Sequence, residues 1–276
     1  YVAALPDDTV TLECNASKST VKATCQAYTS TFKGLAAEDF PTLPAVDKPA
    51  FSLDGQDITI AIKRVIGAAA TDEARPVLTG ILMRSVGGQV VLVASDGFRV
   101  VEARLAEKKA PAMNVIVPAK GLGELPRCLA DDQSVDVQLY GAKDKPDRIG
   151  FRCGGTELVA QLLEGAFPAY ENVIPKKIAT EAVVETARLR QACKVADIFA
   201  RENAHTVRLK VRRPSGDEKK DAQPAGIELS TTAAETGDHN SFIDGQIHGP
   251  ELEIAFNVKF LKEAVDICDQ PNTLIR

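Results

Sequence analysis

Two segments of this chain carry the same signal about 127 residues apart, and that spacing limits the folds available to it. The stronger is Leu163-Leu-Glu-Gly-Ala-Phe-Pro-Ala-Tyr-Glu-Asn-Val-Ile-Pro175, and the weaker is Ala37-Glu-Asp-Phe-Pro-Thr-Leu-Pro44; the reference points are Phe40 and Phe167. Each reads as a junction where a strand ends, a Phe-Pro turn follows and a new unit begins. The interval is one domain long, so repetition has to be tested before any local motif. Neighbouring features recur. The amphipathic run Asp57–Ile66 is answered by Ala187–Ala196, the strand-like Val77–Met83 by Thr206–Val211, and Asn114–Leu122, a strand running into a helix, by Glu253–Leu261. The later offset, 139 residues from Val115 to Ile254, exceeds the first by what a polar loop at Pro214–Gly226 absorbs. The competing reading is two unrelated mixed domains.

A chain of 276 residues suits roughly two domains. Apolar runs stay far below the roughly 18 residues that span a bilayer, and no leader resembles a signal peptide; the cytosol and no membrane partner are the expectation. The six cysteines, Cys14, Cys25, Cys128, Cys153, Cys193 and Cys268, show no CxxC pair. Most of them read as small buried hydrophobes rather than metal ligands or disulfides. The net charge of −5 argues against a uniformly basic nucleic-acid binder but leaves the distribution of charge open. Without an initial Met, and stopping at Asn272-Thr-Leu-Ile-Arg276 as if opening a strand, the chain reads as a fragment.

Residues 1–49 show alternation in Thr9–Cys14 and Thr20–Cys25 and are expected to be the tail of a domain. From Phe51 a helix is expected, with Ile58, Ile62, Val65, Ile66 and Ala69 on one buried stripe and Lys63 and Arg64 pointing away. Strands follow at 77–83, 89–94, 99–103 and 115–117, with turns at Gly87-Gly88 and Ser95-Asp96-Gly97. A second helix over about 119–130 would bury Leu122, Leu125 and Leu129 and expose Lys120 and Arg127, although Gly121, Gly123 and Pro126 weaken it. Strands at 134–140, 148–152 and 156–163 lead into the junction. Beyond it, a helix at 186–201 buries Leu189, Cys193, Ala196 and Ala200 and sets Arg190, Lys194 and Arg201 along another face. Strands at 206–211 and 226–230 flank the polar loop Arg213–Lys220, and Asn257 caps a helix to Cys268 with Lys259 and Lys262 outward.

Catalytic constellations are absent: no phosphate-binding loop, no dinucleotide fingerprint, no nucleophile elbow, no metal spacing among His205, His239 and His248. Asp96, before a glycine in a turn, reads as structural. No catalytic residue, metal or cofactor is expected. For one helix, basic residues opposite a buried stripe usually mean a solvated face. Four such helices in repeated units could instead join into a surface that follows phosphates without reading bases.

The ordered set Ile62-Lys-Arg-Val65, Arg75-Pro-Val-Leu-Thr-Gly-Ile-Leu82, Ala94-Ser-Asp-Gly-Phe-Arg-Val100, Val117-Pro-Ala-Lys120, Glu164–Pro175 and Ala255-Phe-Asn-Val-Lys-Phe-Leu261 resembles the bacterial DNA polymerase III beta subunit, the sliding clamp, from about residue 8 onward. The resemblance implies an α+β fold of repeated clamp domains, each with two helices on the inner side of antiparallel sheets. It implies that 1–49 is the C-terminal remnant of the first domain, 50–177 the central domain, and 178–276 a truncated C-terminal domain. The implied function is a non-catalytic processivity factor, closed head to tail as a homodimer around double-stranded DNA when full length. Partners would be the polymerase III alpha subunit, the clamp loader and other proteins carrying the clamp-binding motif. Lys63, Arg64, Lys120, Arg127, Arg190, Lys194, Arg201, Lys259 and Lys262 would face DNA. Leu78, Ser95, Gly97, Phe98, Arg99, Val100, Pro168, Asn172 and Val173 match the positions of the pocket that takes partner peptides; interdomain packing is the plainer reading of the same residues. Phe98 stands where the family often has His, and the family's C-terminal Met-Pro-Met-like segment has no counterpart here. The alternatives are a scaffold that does not encircle DNA and an enzyme with a diffuse site.

Overall fold

The computed structural model describes residues 1–276 except 41, 107–109, 130–133, 143–144, 215–223 and 234–236. Pro41, Ala130 and most of the Arg213–Lys220 loop therefore lie outside the described residues. The chain separates into two compact units, Tyr1–Ala45 and Val46–Arg276. The smaller is a three-stranded antiparallel meander of β1 (Thr11–Asn15), β2 (Thr20–Cys25) and β3 (Tyr28–Lys33). Ala23 and Cys25 are buried in its central strand. Strand β3 has no counterpart among the expected elements.

The larger unit opens with β4 (Phe51–Asp54), whose Phe51 and Leu53 point inward and whose Ser52 and Asp54 point outward, the period of a half-buried strand. Asp54 then caps α1 (Gly55–Val65), its Oδ1 accepting the Asp57 N–H at 2.8 Å. Ile58, Ala61, Ile62 and Val65 face the core, while Ile66 and Ala69 are only half-buried beyond the helix end.

Pro76 starts a 3-10 turn that runs to Thr79, so the strand expected from Val77 begins at Gly80 instead: proline fixes a helical φ and removes a ladder donor. The sheet is built from β5 (Gly80–Val86), β6 (Gln89–Ser95), β7 (Val100–Arg104) and β8 (Asn114–Pro118). Gly87 and Gly88, at φ +59° and +83°, make the two-residue hairpin between β5 and β6.

The single helix expected over 119–130 is two short ones, α2 (Ala119–Leu122) and α3 (Leu125–Cys128). Pro126 cannot donate to the preceding turn, and a side chain at Gly123 would meet the Ile66 Cδ1 at 2.6 Å. Leu122 and Leu125 are nonetheless fully buried as expected, with Leu129 half-buried. The first half closes with β9 (Ser134–Ala142), β10 (Lys145–Cys153) and β11 (Thr156–Gln161).

The second half comprises β12 (Glu181–Glu185), α4 (Thr186–Ala200), β13 (Thr206–Arg212), β14 (Gly226–Ala233), β15 (Gly237–His248), β16 (Leu252–Asn257), α5 (Val258–Asp266) and β17 (Asn272–Ile275). Strands β4, β12 and β15 were not expected; β15 is long but reads in sequence as Gly, Asp, His and Asn rather than as apolar alternation. The repetition is plain in the topology. The order β7-β6-β5-β8 returns as β15-β14-β13-β16, and the pair β4-β9 returns as β12-β17. The difference is that β15 also pairs with β12, fusing the second half into one six-stranded sheet, whereas the first half keeps two four-stranded sheets.

Each half owns a core. In the first, α1, α2 and α3 pack with the inner faces of both sheets; in the second, Leu189, Cys193, Ala196 and Ala200 of α4 pack with Val207, Leu209, Ile227 and Leu229. A smaller cluster covers the other face of the first sheet: Leu82, Val91, Val93 and Ile116 lie under Phe167 and Tyr170 of the junction segment. Strand β6 is thus buried on both faces, which is why it reads as a continuous apolar run.

Candidate functional site

The main helix contacts are two pairs, one in each half of the larger unit. Helix α1 touches α3, and α4 touches α5. Arg64 at the end of α1 reaches Asp269, just past α5, at 2.8 Å. The basic residues on these helices and on α2 fall into two groups. Lys63, Lys120, Lys194, Arg201 and Lys259 are exposed and Lys262 is half-exposed, and none makes an ion pair among the described residues. The other arginines are occupied. Arg127 pairs with Glu124 of its own turn at 2.9 Å, and Arg64 with Asp269.

Arg190, expected on a cationic stripe with Lys194 and Arg201, turns instead to the end of α5. Its Nε donates to Asp266 Oδ1 at 3.1 Å and its Nη2 to the carbonyls of Val265 and Cys268 at 3.1 and 2.9 Å. The unpaired carbonyls at a helix C-terminus attract a guanidinium, and its fork can serve several at once. Asn257 caps α5 at the other end, accepting the Lys259 N–H at 3.0 Å.

The turn between β6 and β7 is self-contained. Asp96 Oδ1 accepts the N–H groups of Phe98 and Arg99 at 2.9 and 3.1 Å; the Ser95 hydroxyl donates to the Arg99 carbonyl at 2.7 Å and accepts the Gly97 N–H at 3.1 Å. Gly97 sits at φ +91°, a conformation that disfavours a side chain. Asp96 is therefore a turn-former, as its place before a glycine implied. Phe98, at the tip, is 87 % exposed. Leu78 is buried beside the turn, its Cδ1 3.9 Å from where a Gly97 Cβ would stand, and Val100 packs in the cluster under the junction segment. Pro168, Asn172 and Val173 are exposed on that segment.

Arg99 is directed elsewhere. Its Nη2 donates to the Gly67 carbonyl at 2.6 Å, its Nη1 bonds the Glu263 carboxylate, and its guanidinium lies 4.5 Å from the centre of the Phe260 ring. It bridges the two halves of the unit.

The junction segment is clamped by groups the sequence reading passed over. Arg84 donates to Glu171 Oε1 at 2.5 Å and to the Tyr170 hydroxyl at 2.8 Å, and that hydroxyl donates to Glu102. Burial and the Glu102 carboxylate together push the Tyr170 phenol well above its ordinary pKa, so it stays a donor. Beneath the segment opens a cavity of about 620 Å³, walled by Leu82, Arg84, Ile116, Phe167 and Tyr170; of the expected pocket residues only Pro168 reaches it. These long-range pairs, such as Tyr170 with Glu102, leave no local pattern; the acidic and aromatic residues flanking the Phe-Pro pair were the one hint.

No cluster that could hold a metal ion occurs among the described residues, and no helix there is long and apolar enough to cross a membrane. All six cysteines are free. Cys25, Cys153 and Cys193 are buried, Cys128 and Cys268 half-buried, and Cys14 exposed. Burial pushes the Cys193 thiol up to about 12.

Residues 52–169 match the family model described as DNA polymerase III beta subunit, central domain, and residues 171–275 the model of its C-terminal domain. The chain is 30 % identical over 271 residues to a beta sliding clamp of Streptomyces coelicolor, covering 97 % of this chain and 68 % of that one. It is 28 % identical to a beta sliding clamp homolog of Streptomyces muensis, over 96 % of this chain and 67 % of the relative. Among solved structures, it is similar to the DNA polymerase sliding clamp from Bacillus subtilis, with TM-score 0.80 and 26 % identity, covering 99 % of this chain and 69 % of the other.

Proposed function

We propose, from the premise that this chain belongs to the DNA polymerase III beta subunit family of sliding clamps, that it serves DNA replication as a processivity factor with no chemistry of its own. It tethers polymerase to duplex DNA by topology, not by tight binding. Residues 1–49, 50–177 and 178–276 then correspond to the end of a first clamp domain, a central domain and part of a third. The ring is a head-to-tail homodimer of full-length subunits, working in the cytoplasm.

The observation that carries this reading is that α1, α2, α4 and α5 each carry lysines without an ion pair among the described residues, the helix pairs of the two halves being tied by Arg64 and Asp269. Lys63, Lys120, Lys194, Lys259 and Lys262, with Arg127 and Arg201, form the DNA-facing surface; Arg64 and Arg190 contribute to the local field while held by protein acids. Flexible ammonium groups suit this task, because sliding requires phosphate contacts that are weak, salt-sensitive and indifferent to sequence. Leu78, Val100 and Val173 line the peptide pocket, with Ser95, Gly97, Phe98, Arg99, Pro168 and Asn172 around them. Small apolar anchors of this kind take the side chains of an extended motif, here those of the polymerase III alpha subunit, the clamp loader and other clamp-binding proteins.

The test is a full-length subunit carrying Lys63→Glu, Lys120→Glu and Lys194→Glu. It should still dimerise and yet lose clamp-dependent primer extension. The unaltered ring should stay on circular DNA and run off a linear duplex. Retention on both would favour a scaffold that does not encircle, and unimpaired extension by the triple variant would remove these lysines from the DNA surface.

A further inference from the structure

We propose that Glu263, on α5 in the second half of the larger unit, is a positioning residue for the peptide pocket in the first half, acting through Arg99. This rests on the pocket reading above. The β6–β7 turn carries Gly97, Phe98 and Val100, and Arg99 is the residue of that turn that leaves it to contact the other half. Four partners hold the guanidinium: Asp96 Oδ2 at 3.1 Å within the turn, the Gly67 carbonyl at 2.6 Å, the Phe260 ring face, and the Glu263 carboxylate. Two of the four lie on α5.

The exposures decide what kind of role this is. The Arg99 side chain is 19 % exposed, that of Glu263 52 %. An ion pair half open to water adds little to stability, yet a charge-assisted hydrogen bond with a stacked ring still fixes direction. With Glu263 in place, Arg99 is drawn across the seam and away from the mouth of the pocket. Phe98 then stands out to solvent, over the buried Leu78 and the half-buried Val100. Without Glu263, the guanidinium keeps only the Phe260 ring face on α5, and the turn loses its one hydrogen-bonded, charged anchor there. The same helix carries Lys259 and Lys262, so occupation of the turn and the seating of those lysines become linked, and linkage of this kind is reciprocal.

The experiment compares the chain with its Glu263→Gln, Arg99→Lys and doubly substituted variants. It measures thermal stability, hydrogen exchange at the 96–100 amides, and anisotropy of a fluorescein-labelled peptide carrying the clamp-binding motif of a polymerase III alpha subunit. Glu263→Gln should leave the melting temperature nearly unchanged, speed exchange in the turn, and weaken peptide binding about three- to tenfold, the size of an ordinary net hydrogen bond, since water screens the charge of the half-exposed Glu263. The double variant should bind no worse than the weaker single one, because both remove the same contact. Wild-type binding with an unchanged dissociation constant in Glu263→Gln, or strictly additive losses, overturns the proposal. If the wild-type chain does not bind the peptide, the pocket reading falls separately. The exchange arm then decides: faster turn exchange supports the positioning role, and unchanged exchange overturns it.

Discussion

The two halves of the larger unit share a strand order but close differently. In the first, the segment after β8 breaks into two single-turn helices; in the second, the segment after β16 runs unbroken for nine residues as α5. The first half keeps two separate sheets, and the second fuses them through β15 and β12. Similar sequence patterns therefore deliver basic residues into dissimilar surroundings. Arg64, Arg127 and Arg190 all find protein acceptors, whereas the neighbouring lysines find none among the described residues. A guanidinium can satisfy several fixed acceptors at once, while an ammonium keeps its water. A basic stripe read from sequence is thus a mixture of latches and solvated charges, and residue type helps to separate them.

The largest expected effect asks whether the two cores are energetically distinct. Leu189 is fully buried at the centre of the second core, and Leu189→Ala should cost about 2–5 kcal/mol, the range for emptying such a site. Native-state hydrogen exchange should then show protection falling in α4, β13 and β14 before it falls in α1 and β6. Equal loss in both halves would mean that they unfold as one body, and the comparison between them would then carry no energetic meaning.

Next in size is the contrast between Arg190 and Lys194, neighbours on α4 with different fates. Arg190→Ala removes three hydrogen bonds from the end of α5 and should destabilise by about 1–2 kcal/mol, given its partial exposure. Lys194→Ala should stay within about 0.5 kcal/mol of the parent in urea titrations. In a full-length ring, Lys194→Ala should instead lower the salt dependence of DNA binding by roughly one phosphate's worth. If Lys194 proves the more destabilising of the two, the division between latches and solvated charges is wrong.

A third substitution sets two rules against each other at the broken helix. By propensity alone, Gly123→Ala should stabilise α2 and α3 by about 1 kcal/mol. Packing says the reverse: the added methyl meets Ile66 Cδ1 at 2.6 Å and the Ala119 carbonyl at 3.1 Å. We expect a net loss of about 1 kcal/mol, overpacking outweighing propensity. A gain in the urea midpoint would show that Ile66 yields easily and that the break owes more to Pro126.

What was legible in the sequence follows from what is local. The stripes of α1 and α4 obey a helical period and were placed from it, while the Gly87-Gly88 hairpin, the Asp96 turn and the Asn257 cap that opens α5 were placed from their turn and cap residues. The short strands β4 and β12 precede their helices with too few residues to show a period, and β15 hides its alternation among polar residues. Side-chain direction was less legible still. Nothing near Arg190 in sequence announces Asp266, and nothing near Arg99 announces Glu263, because those acids arrive from 76 and 164 residues away. The family motif placed Arg99 at the turn; only coordinates show it reaching across the seam.

The smallest effect concerns pH and should be felt more in one half than in the other. Asp136 on β9 accepts from the Ser52 hydroxyl at 2.7 Å and from Arg152 Nη2 at 2.7 Å, tying β4, β9 and β10 together. Those two hydrogen bonds hold its carboxyl below the ordinary aspartate value of 3.8, the Ser52 bond most of all. A carboxylate whose pKa is depressed in the folded state contributes stability that is whole above its unfolded pKa and lost as pH falls through the lower folded value. Stability measured by urea between about pH 5 and pH 3 should therefore decline on the acid side. Asp136→Asn should flatten that decline, while costing a little near neutrality where the charge is present. The first half should loosen before the second, because the corresponding pair β12 and β17 is tied by Glu181 and Arg276, just past β17, at 2.9 Å, an ion pair more open to water than that of Asp136 and Arg152. An acid limb unchanged by Asp136→Asn would assign the decline to other carboxylates and leave the two halves alike in this respect.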